Sequence, residues 1–268
     1  MIDPNLFDLD ELRQSPLIAR LDYFAESEST QTQARQIAAE RELPMPALVL
    51  ASQQTAGRGR GSNRWWSSPG ALTFSWVIEP QQYEINTARL ASCSAAIGLA
   101  VCRTLAPLLP SSAPTCGMKW PNDVFLGGRK ICGVLLETLA SSRGPRLVAG
   151  VGVNINNSLD GLPPEVAKLS VSLREIVGRD FELTGLLLDL LAHMDQELHR
   201  LGQNDHDQPA DWNACSLLVD RQTTVETPAG LIEGRCLGLD AAGALLLASE
   251  QGVHRVLSGT VVRIEPAC

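Results

Sequence analysis

Aromatic residues make up 4% of the 268 residues, histidine occurs four times, and the seven cysteines include no C-x-x-C pair. Each scarcity removes a class of chemistry. Odd in number and scattered from Cys93 to Cys268, the cysteines outline neither a disulfide framework nor a thiolate metal site; a reducing cytoplasm suits them. His193, His199, His206 and His254 show no metal-ligand spacing and no Ser-His-Asp arrangement, and no close carboxylate pair marks a glycosidase. The opening "MIDPNLFDLDEL" lacks the basic and apolar regions of a signal peptide. The longest leucine-rich run, "LLLDLLA" (186–192), is too short to span a bilayer and carries Asp189, so no membrane partner is expected. Positive charge is also in deficit. Lys plus Arg is 22 against 30 for Asp plus Glu, a net charge of −8 that repels nucleic acid and anionic surfaces. An anionic ligand would need a local basic pocket.

What is present reads as a mixed α/β chain with a small β unit behind it. Thr30, with Gln33 three residues on, has the spacing of a capping box and starts a helix whose apolar face is Ala34, Ile37 and Ala38. "PALVLAS" (46–52) and "ALTFSWVI" (71–78) are strand-like. Leu90, Cys93, Ile97, Val101, Leu105 and Leu108 recur at helical steps, a stripe packed on a sheet. "VFL" (124–126), "KICGVLLE" (130–137) and "RLVAGVGVNIN" (146–156) add three strands, turned by Gly127-Gly128 and "SSRGP", an antiparallel meander in a mixed sheet. A helix over 184–201 has Thr184 as its cap and Gly202 beyond its end. The polar, proline-containing "GQNDHDQPAD" (202–211) reads as a linker. After it, about five short strands separated by "PAG", "DAAG", "EQG" and "SG" make a small barrel or sandwich. Two domains are expected, 1–210 and 214–268.

The basic residues missing elsewhere gather in "QQTAGRGRGSNRWWSSPG" (53–70). Gly57, Gly59 and Gly61 let a backbone approach a ligand, while Arg58 and Arg60 offer forked donors to phosphate or carboxylate. No G-K-[ST] opens a helix here and no G-x-G-x-x-G joins strand to helix, so this is a mobile loop between strands and not a helix-dipole phosphate site. On residue types alone, a solvated surface loop reads equally well. Trp65 and Trp66 tip the balance, because an aromatic beside two cations can stack on a base; Trp65 is assigned to the site and Trp66 to the core.

"KWPNDVFLGGRKICG" (119–133) adds Lys119, Asn122 and Asp123 at a proline-fixed turn, then Arg129 and Lys130 across a hairpin. Ordinary turn roles would explain them, yet polar groups between Trp120 and Val124 face partial burial and must be satisfied or used. Together with the arginines they form a cationic cleft in a negative protein, suited to a small polyanion such as ATP. Cys132 reads as packing. With no evident base or nucleophile, the chemistry rests on positioning and charge neutralisation.

With "EST" (28–30), "QTAGRGR" (54–60), Trp65, "KWPND" (119–123), "GRKICGVLLE" (128–137) and "GVGVNIN" (150–156) in this order, the chain resembles the biotin–protein ligases. The resemblance implies a class II synthetase-like catalytic domain with a mixed, largely antiparallel sheet and flanking helices, plus a C-terminal SH3-like barrel. It implies activation of biotin by ATP, with Mg²⁺ offsetting phosphate charge and no metal held by protein ligands. Transfer to a lysine of a biotin carboxyl carrier protein domain would follow. By position, Ser29, Thr30, Gln31 and Gln54 would bind biotin, and Gly57, Arg58, Gly59, Arg60 and Trp65 would close over the adenylate. Lys130 would neutralise developing charge, Asp123 would orient the incoming lysine, and Lys119 and Asn122 would complete that wall. Gly133, Gly152 and Asn154 would line the nucleotide side. Ser62 and Asn63 depart from the commoner glycine and arginine of the loop, and Gln31 stands where asparagine is commoner. About 20 residues precede the matching region, so DNA binding is not expected. Monomer and homodimer both stay open, as do a lipoate or octanoate ligase or transferase of the same fold and a non-catalytic binding module.

Overall fold

In a computed structural model, residues 6–265 are described; Cys268 and the first five residues of the acidic N-terminal stretch lie outside them. The order is α1 (Leu9–Gln14), β1 (Arg20–Ser27), α2 (Thr30–Ile37), β2 (Ala47–Gln54), β3 (Leu72–Ile78), α3 (Ser92–Leu105), β4 (Cys116–Lys119), β5 (Asp123–Leu126), β6 (Arg129–Ser141) and β7 (Gly144–Val153). Then follow α4 (Pro164–Leu169), α5 (Leu173–Val177), α6 (Leu183–Gly202), α7 (Gln208–Ala214), β8 (Gln222–Thr227), β9 (Gly230–Leu239), β10 (Leu245–Ser249), β11 (Gly252–Val256) and β12 (Thr260–Ile264).

Seven strands form one sheet in the order β1-β2-β3-β7-β6-β5-β4. β1 and β2 run parallel, joined through α2, and every other pair is antiparallel. β2 and β3 are buried almost throughout, as continuous apolar runs require when both faces are covered. α3 is buried all round, with 12 of its 14 residues inaccessible, because α6 packs against the side away from the sheet. The expected single stripe is therefore too narrow. Ala95, Ala96, Gly98 and Ala100 fill what would be its polar face, and Leu90 and Leu108 lie in flanking 3₁₀ turns or beside them.

Local details also differ. Ser29, not Thr30, is the N-cap of α2, and no side chain caps it. α6 is capped by Glu182, which accepts from the Thr184 and Gly185 N–H groups at 2.7 and 2.6 Å, and Gly202 is its last residue. The expected linker contains α7. Pro209 sits in the first turn, where its missing N–H costs nothing, and buried Gln208 donates to the Glu197 carbonyl at 2.8 Å. The boundary expected at 210–214 thus falls within a helix.

β8 to β12 form the second sheet, order β11-β10-β9-β8-β12. It is tied to the first. The segment after α7 pairs parallel to β4, with Met118 N–H donating to the Cys215 carbonyl at 2.7 Å and Leu217 N–H to that of Met118 at 2.8 Å. The Trp120 indole N–H donates to the Gly243 carbonyl at 3.2 Å, and one hydrophobic core runs through both sheets. No helix among the described residues is long and apolar enough to cross a membrane.

Candidate active site

A cavity of about 890 Å³ opens between the start of α2, the Gly/Arg loop, the β4–β5 turn, the middle of β6 and β7, α4 and the edge of the second sheet. Its floor is a chain of buried polar groups. Thr30 N–H and Oγ1 donate to Gln54 Oε1 at 2.6 and 3.1 Å; Ser75 Oγ reaches Thr30 Oγ1 at 3.0 Å and Gln31 Oε1 at 3.1 Å. Gln31 Nε2 then donates to Glu137 Oε2 at 2.9 Å. Gly150 leaves room for this network: a Cβ there would stand 2.4 Å from Gln31 Oε1. The hydroxyl of Ser29 is buried on this wall without a hydrogen-bond partner. A buried polar atom left unpaired is costly, so it suits a ligand's polar group.

The Gly/Arg loop is folded as a hairpin, with Arg58 and Arg64 bridged antiparallel. Gly59 N–H donates to the Asn63 carbonyl at 2.9 Å, Trp65 N–H to that of Gly57 at 3.0 Å, and Gly61 turns the chain at φ 64°. Its arginines are tethered in three directions: Arg58 to Glu137 Oε1 at 3.3 Å, Arg60 to the Gly259 carbonyl at 2.5 Å, and Arg64 to the Thr55 carbonyl. Arg64 also lies 4.2 Å above the ring of Trp66. Trp66 is half-buried on the cavity wall, so its assignment to the core is corrected; a neighbouring guanidinium covers it where a core residue would have apolar neighbours.

Trp65 lies over the strand pair beneath. Gly133 and Gly152 face each other across β6 and β7, and a Cβ at Gly152 would stand 2.2 Å from Trp65 Cε2. Two glycines in register give the indole a flat bed, and its N–H has no partner. Lys130 reaches the same place through a bulge. The β5–β6 register slips between Val124 and Phe125, so that Asp123 faces Gly133 while Phe125 faces Lys130. The extra residue turns Lys130 toward the face above Gly133. Its ammonium is 2.7 Å from Asp123 Oδ1 and 5.8 Å from the Trp65 ring centroid. Asn122 fixes the turn, donating to the Val134 carbonyl at 2.6 Å and accepting at its own carbonyl from Val134 N–H at 2.9 Å. Lys119 lies 5.8 Å from the Phe125 ring. Arg129 instead pairs with Glu175, away from the cavity lining. Cys132 is fully buried, and that burial pushes its thiol pKa up.

The structure thus brings Ser29, Thr30, Gln31, Gln54, Arg58, Gly59, Arg60, Trp65, Lys119, Asn122, Asp123, Lys130, Gly133 and Gly152 around one cavity. Two expected residues do not reach it. Gly57 lies behind the loop, where a Cβ would be 2.4 Å from the Trp65 carbonyl oxygen. Asn154 is buried past the end of β7, its side chain accepting from Asn157 at 3.1 Å and its backbone tied to Ile131 and Leu173. Sequence reasoning missed Glu137, the shared partner of Gln31, Arg35 and Arg58. A carboxylate closing the apolar run of β6 was its available signal. It also missed Glu165, Val166 and Leu169 of α4, for which the sequence gives none.

The sequence profile of the Biotin/lipoate A/B protein ligase family matches residues 23–154, and that of the Biotin protein ligase C terminal domain matches residues 219–263. The solved structure of the biotin protein ligase from Aquifex aeolicus in complex with biotin and ATP superposes with a TM-score of 0.77 at 27% identity, over 92% of this chain and 99% of that one. Fold and profile place the chain among ligases of the biotin/lipoate type. The biotin--[acetyl-CoA-carboxylase] ligase of Paracoccus denitrificans is 32% identical over 238 residues, 85% of this chain and 94% of that protein. That of Mycobacterium tuberculosis is 28% identical over 218 residues, 81% and 79% respectively. The chain belongs to the biotin–protein ligase family.

Proposed function

We propose that this chain activates biotin with ATP and transfers it to a lysine of a biotin carboxyl carrier protein domain. The carrying observation is the meeting of the Gly/Arg hairpin and the Lys130 strand over one cavity, in a chain of this family. In the first step a carboxylate oxygen of biotin attacks the α-phosphorus of ATP and pyrophosphate leaves. In the second, the lysine amine attacks the acyl carbon, the carbon–oxygen bond breaks, AMP leaves and an amide remains. A bare carboxylate resists an amine, and adenylation makes its oxygen part of a good leaving group.

Ser29, Thr30 and Gln54 are suited to hold the polar head of biotin, with Gln31 acting through the floor beneath. Lys130 offers a fixed positive charge where carboxyl and phosphate oxygens must approach, which lowers the barrier without moving a proton. Asp123 positions Lys130 and stands ready to orient the acceptor amine. Arg58, Arg60 and Trp65 shield the anhydride from water. Release from their tethers to Glu137 and Gly259 would open the hairpin and admit substrates. Five cations, Arg58, Arg60, Arg64, Lys119 and Lys130, line the cavity against two carboxylates, Asp123 and Glu165.

Among the described residues no group of three or more acidic, histidine or cysteine side chains is placed to hold a metal ion. A resident ion does not fit this lining, so we read Mg²⁺ as arriving on the nucleotide's own phosphates. The catalytic unit would extend from 1–210 through the rest of α7, leaving the strands after residue 214 as the second unit, and the setting would be cytoplasmic. The test is incubation with biotin, Mg-ATP and a carrier domain, followed by intact mass. A biotin adduct on the carrier lysine is expected. Pyrophosphate exchange stimulated by lipoate and not by biotin would overturn the substrate assignment, and no exchange with either would reduce the chain to a binding module.

A further inference from the structure

Cysteines far apart in sequence converge away from the substrate cavity. Cys102 from α3, Cys116 at the start of β4 and Cys215 just past α7 line a second cavity of about 580 Å³, together with Leu99, Arg103 and Asp211. It shares no lining residue with the first. The pairing of Met118 with the Cys215 carbonyl holds Cys215 alongside β4, and α3 packs beneath both. The Cys102 thiol faces the same cavity as the other two. Cys102 is buried, whereas Cys116 and Cys215 are half-buried and open to a small solute.

The three thiols are not equivalent. The hydrogen bond from Cys102 holds the Cys215 pKa down at about 7 against burial and the nearby charge of Asp211, with a smaller lowering from Arg103. Cys116, which competes for the same S–H proton, is lowered as well, while Cys102 is raised by its two thiol neighbours and by burial. Elsewhere burial pushes Cys93 up to about 12 and raises Cys236. Reactive thiols are the accessible ones that ionise near neutral pH.

We infer that Cys215 and Cys102 form a redox-active pair in which a hydroperoxide oxidises Cys215 and Cys102 resolves it to a disulfide. The Cys215 thiolate attacks one peroxide oxygen and the O–O bond breaks. Cys215 becomes a sulfenic acid, and the departing hydroxide takes up a proton as water. The Cys102 sulfur then attacks the sulfenic sulfur, its proton leaves with the hydroxyl as a second water, and the S–S bond forms. Two thiols lose two electrons and one hydrogen peroxide becomes two waters. The product ties α3 to the segment that leads into the second sheet. Nothing in it depends on the substrate proposed for the main site.

The experiment treats the full chain with hydrogen peroxide, blocks remaining thiols with an alkylating reagent, and maps peptides without reduction. A Cys102–Cys215 linked peptide is expected. Dithiothreitol should reverse it, Cys116→Ser should retain it, Cys215→Ser should lack it, and its formation should slow as pH falls below 7. The map of the unsubstituted protein decides the matter should Cys215→Ser not fold. The inference is overturned by Cys215 that over-oxidises while Cys102 stays alkylatable, by a link to Cys116 instead, or by no reaction at all.

Discussion

Replacing Lys130 by alanine separates two energies that the structure makes unequal. The ammonium is 2.7 Å from Asp123 Oδ1, and the two side chains are 32% and 26% exposed. An ion pair so wetted contributes at most ~1 kcal/mol to folding. For a chain of this size that shifts Tm by roughly 2–4 °C per kcal/mol. Its effect on the reaction should be larger. A fixed charge aimed at oxygens that gain negative charge in the transition state is worth a factor of roughly 10² or more on removal. At 1.36 kcal/mol per decade that is about 2.7 kcal/mol. Lys130→Ala is therefore expected to melt within a few degrees of the parent while biotin-dependent pyrophosphate exchange falls at least roughly 100-fold. Both are measured on one preparation, by calorimetry and by isotope exchange. Asp123→Asn is the paired comparison: it keeps the lysine's charge but loosens its position, so exchange should fall far less than in Lys130→Ala while transfer from preformed adenylate to the carrier slows. Near-parental exchange in Lys130→Ala would refute the reasoning, as would a loss that merely follows unfolding.

Glu137→Gln leaves Arg58 without its carboxylate at 3.3 Å, so the adenylate should escape several-fold faster, roughly 5-fold for ~1 kcal/mol; release followed by rapid filtration checks this, and unchanged release would free Glu137 of the role. Gly152→Ala puts a Cβ 2.2 Å from Trp65 Cε2 and forces the indole off its bed. Biotin affinity should drop roughly 10-fold, about 1.4 kcal/mol within the usual range for overpacking, with a shift in tryptophan emission; titration calorimetry and fluorescence would show it. Glu182→Ala removes the cap of α6, a loss of about 1 kcal/mol read as a lower Tm. Burial raises the Glu182 pKa, but the hydrogen bonds from Gly185 and Thr184 outweigh it and hold the folded value below the ordinary 4.5. The carboxylate's contribution is thus fully present above pH 4.5 and lost as pH falls through the folded pKa, so the Tm gap between parent and variant should narrow in acid.

The architecture was legible where side-chain period and burial agree. β2, β3 and most of β7 are apolar runs because both sheet faces are covered, and Gly127 and Gly128 adopt φ 60° and 77°, as a two-residue hairpin demands. β1 escaped notice because "RLDYFAES" mixes charges into an edge strand, where Arg20 pairs with Asp22 and Glu40 in place of apolar neighbours. α7 escaped because a proline inside a polar stretch looks like a breaker until its position in the first turn is known.

The site divides along the same physical line. Groups that must be a particular chemical type at a particular spacing, such as Arg58, Trp65, Asp123 and Lys130, declare themselves along the chain. What arranges them does not, since it depends on partners far away in sequence. Gly133 matters because Gly152 lies opposite it; Lys130 points toward Trp65 because one extra residue interrupts the β5–β6 ladder; Arg58 rests where it does because Glu137 lies 3.3 Å away. The three cysteines are the extreme case, separated by 14 and 99 positions yet lining one cavity. A sequence displays the chemistry of each group, but its pKa, its partner and its direction belong to the register of the fold.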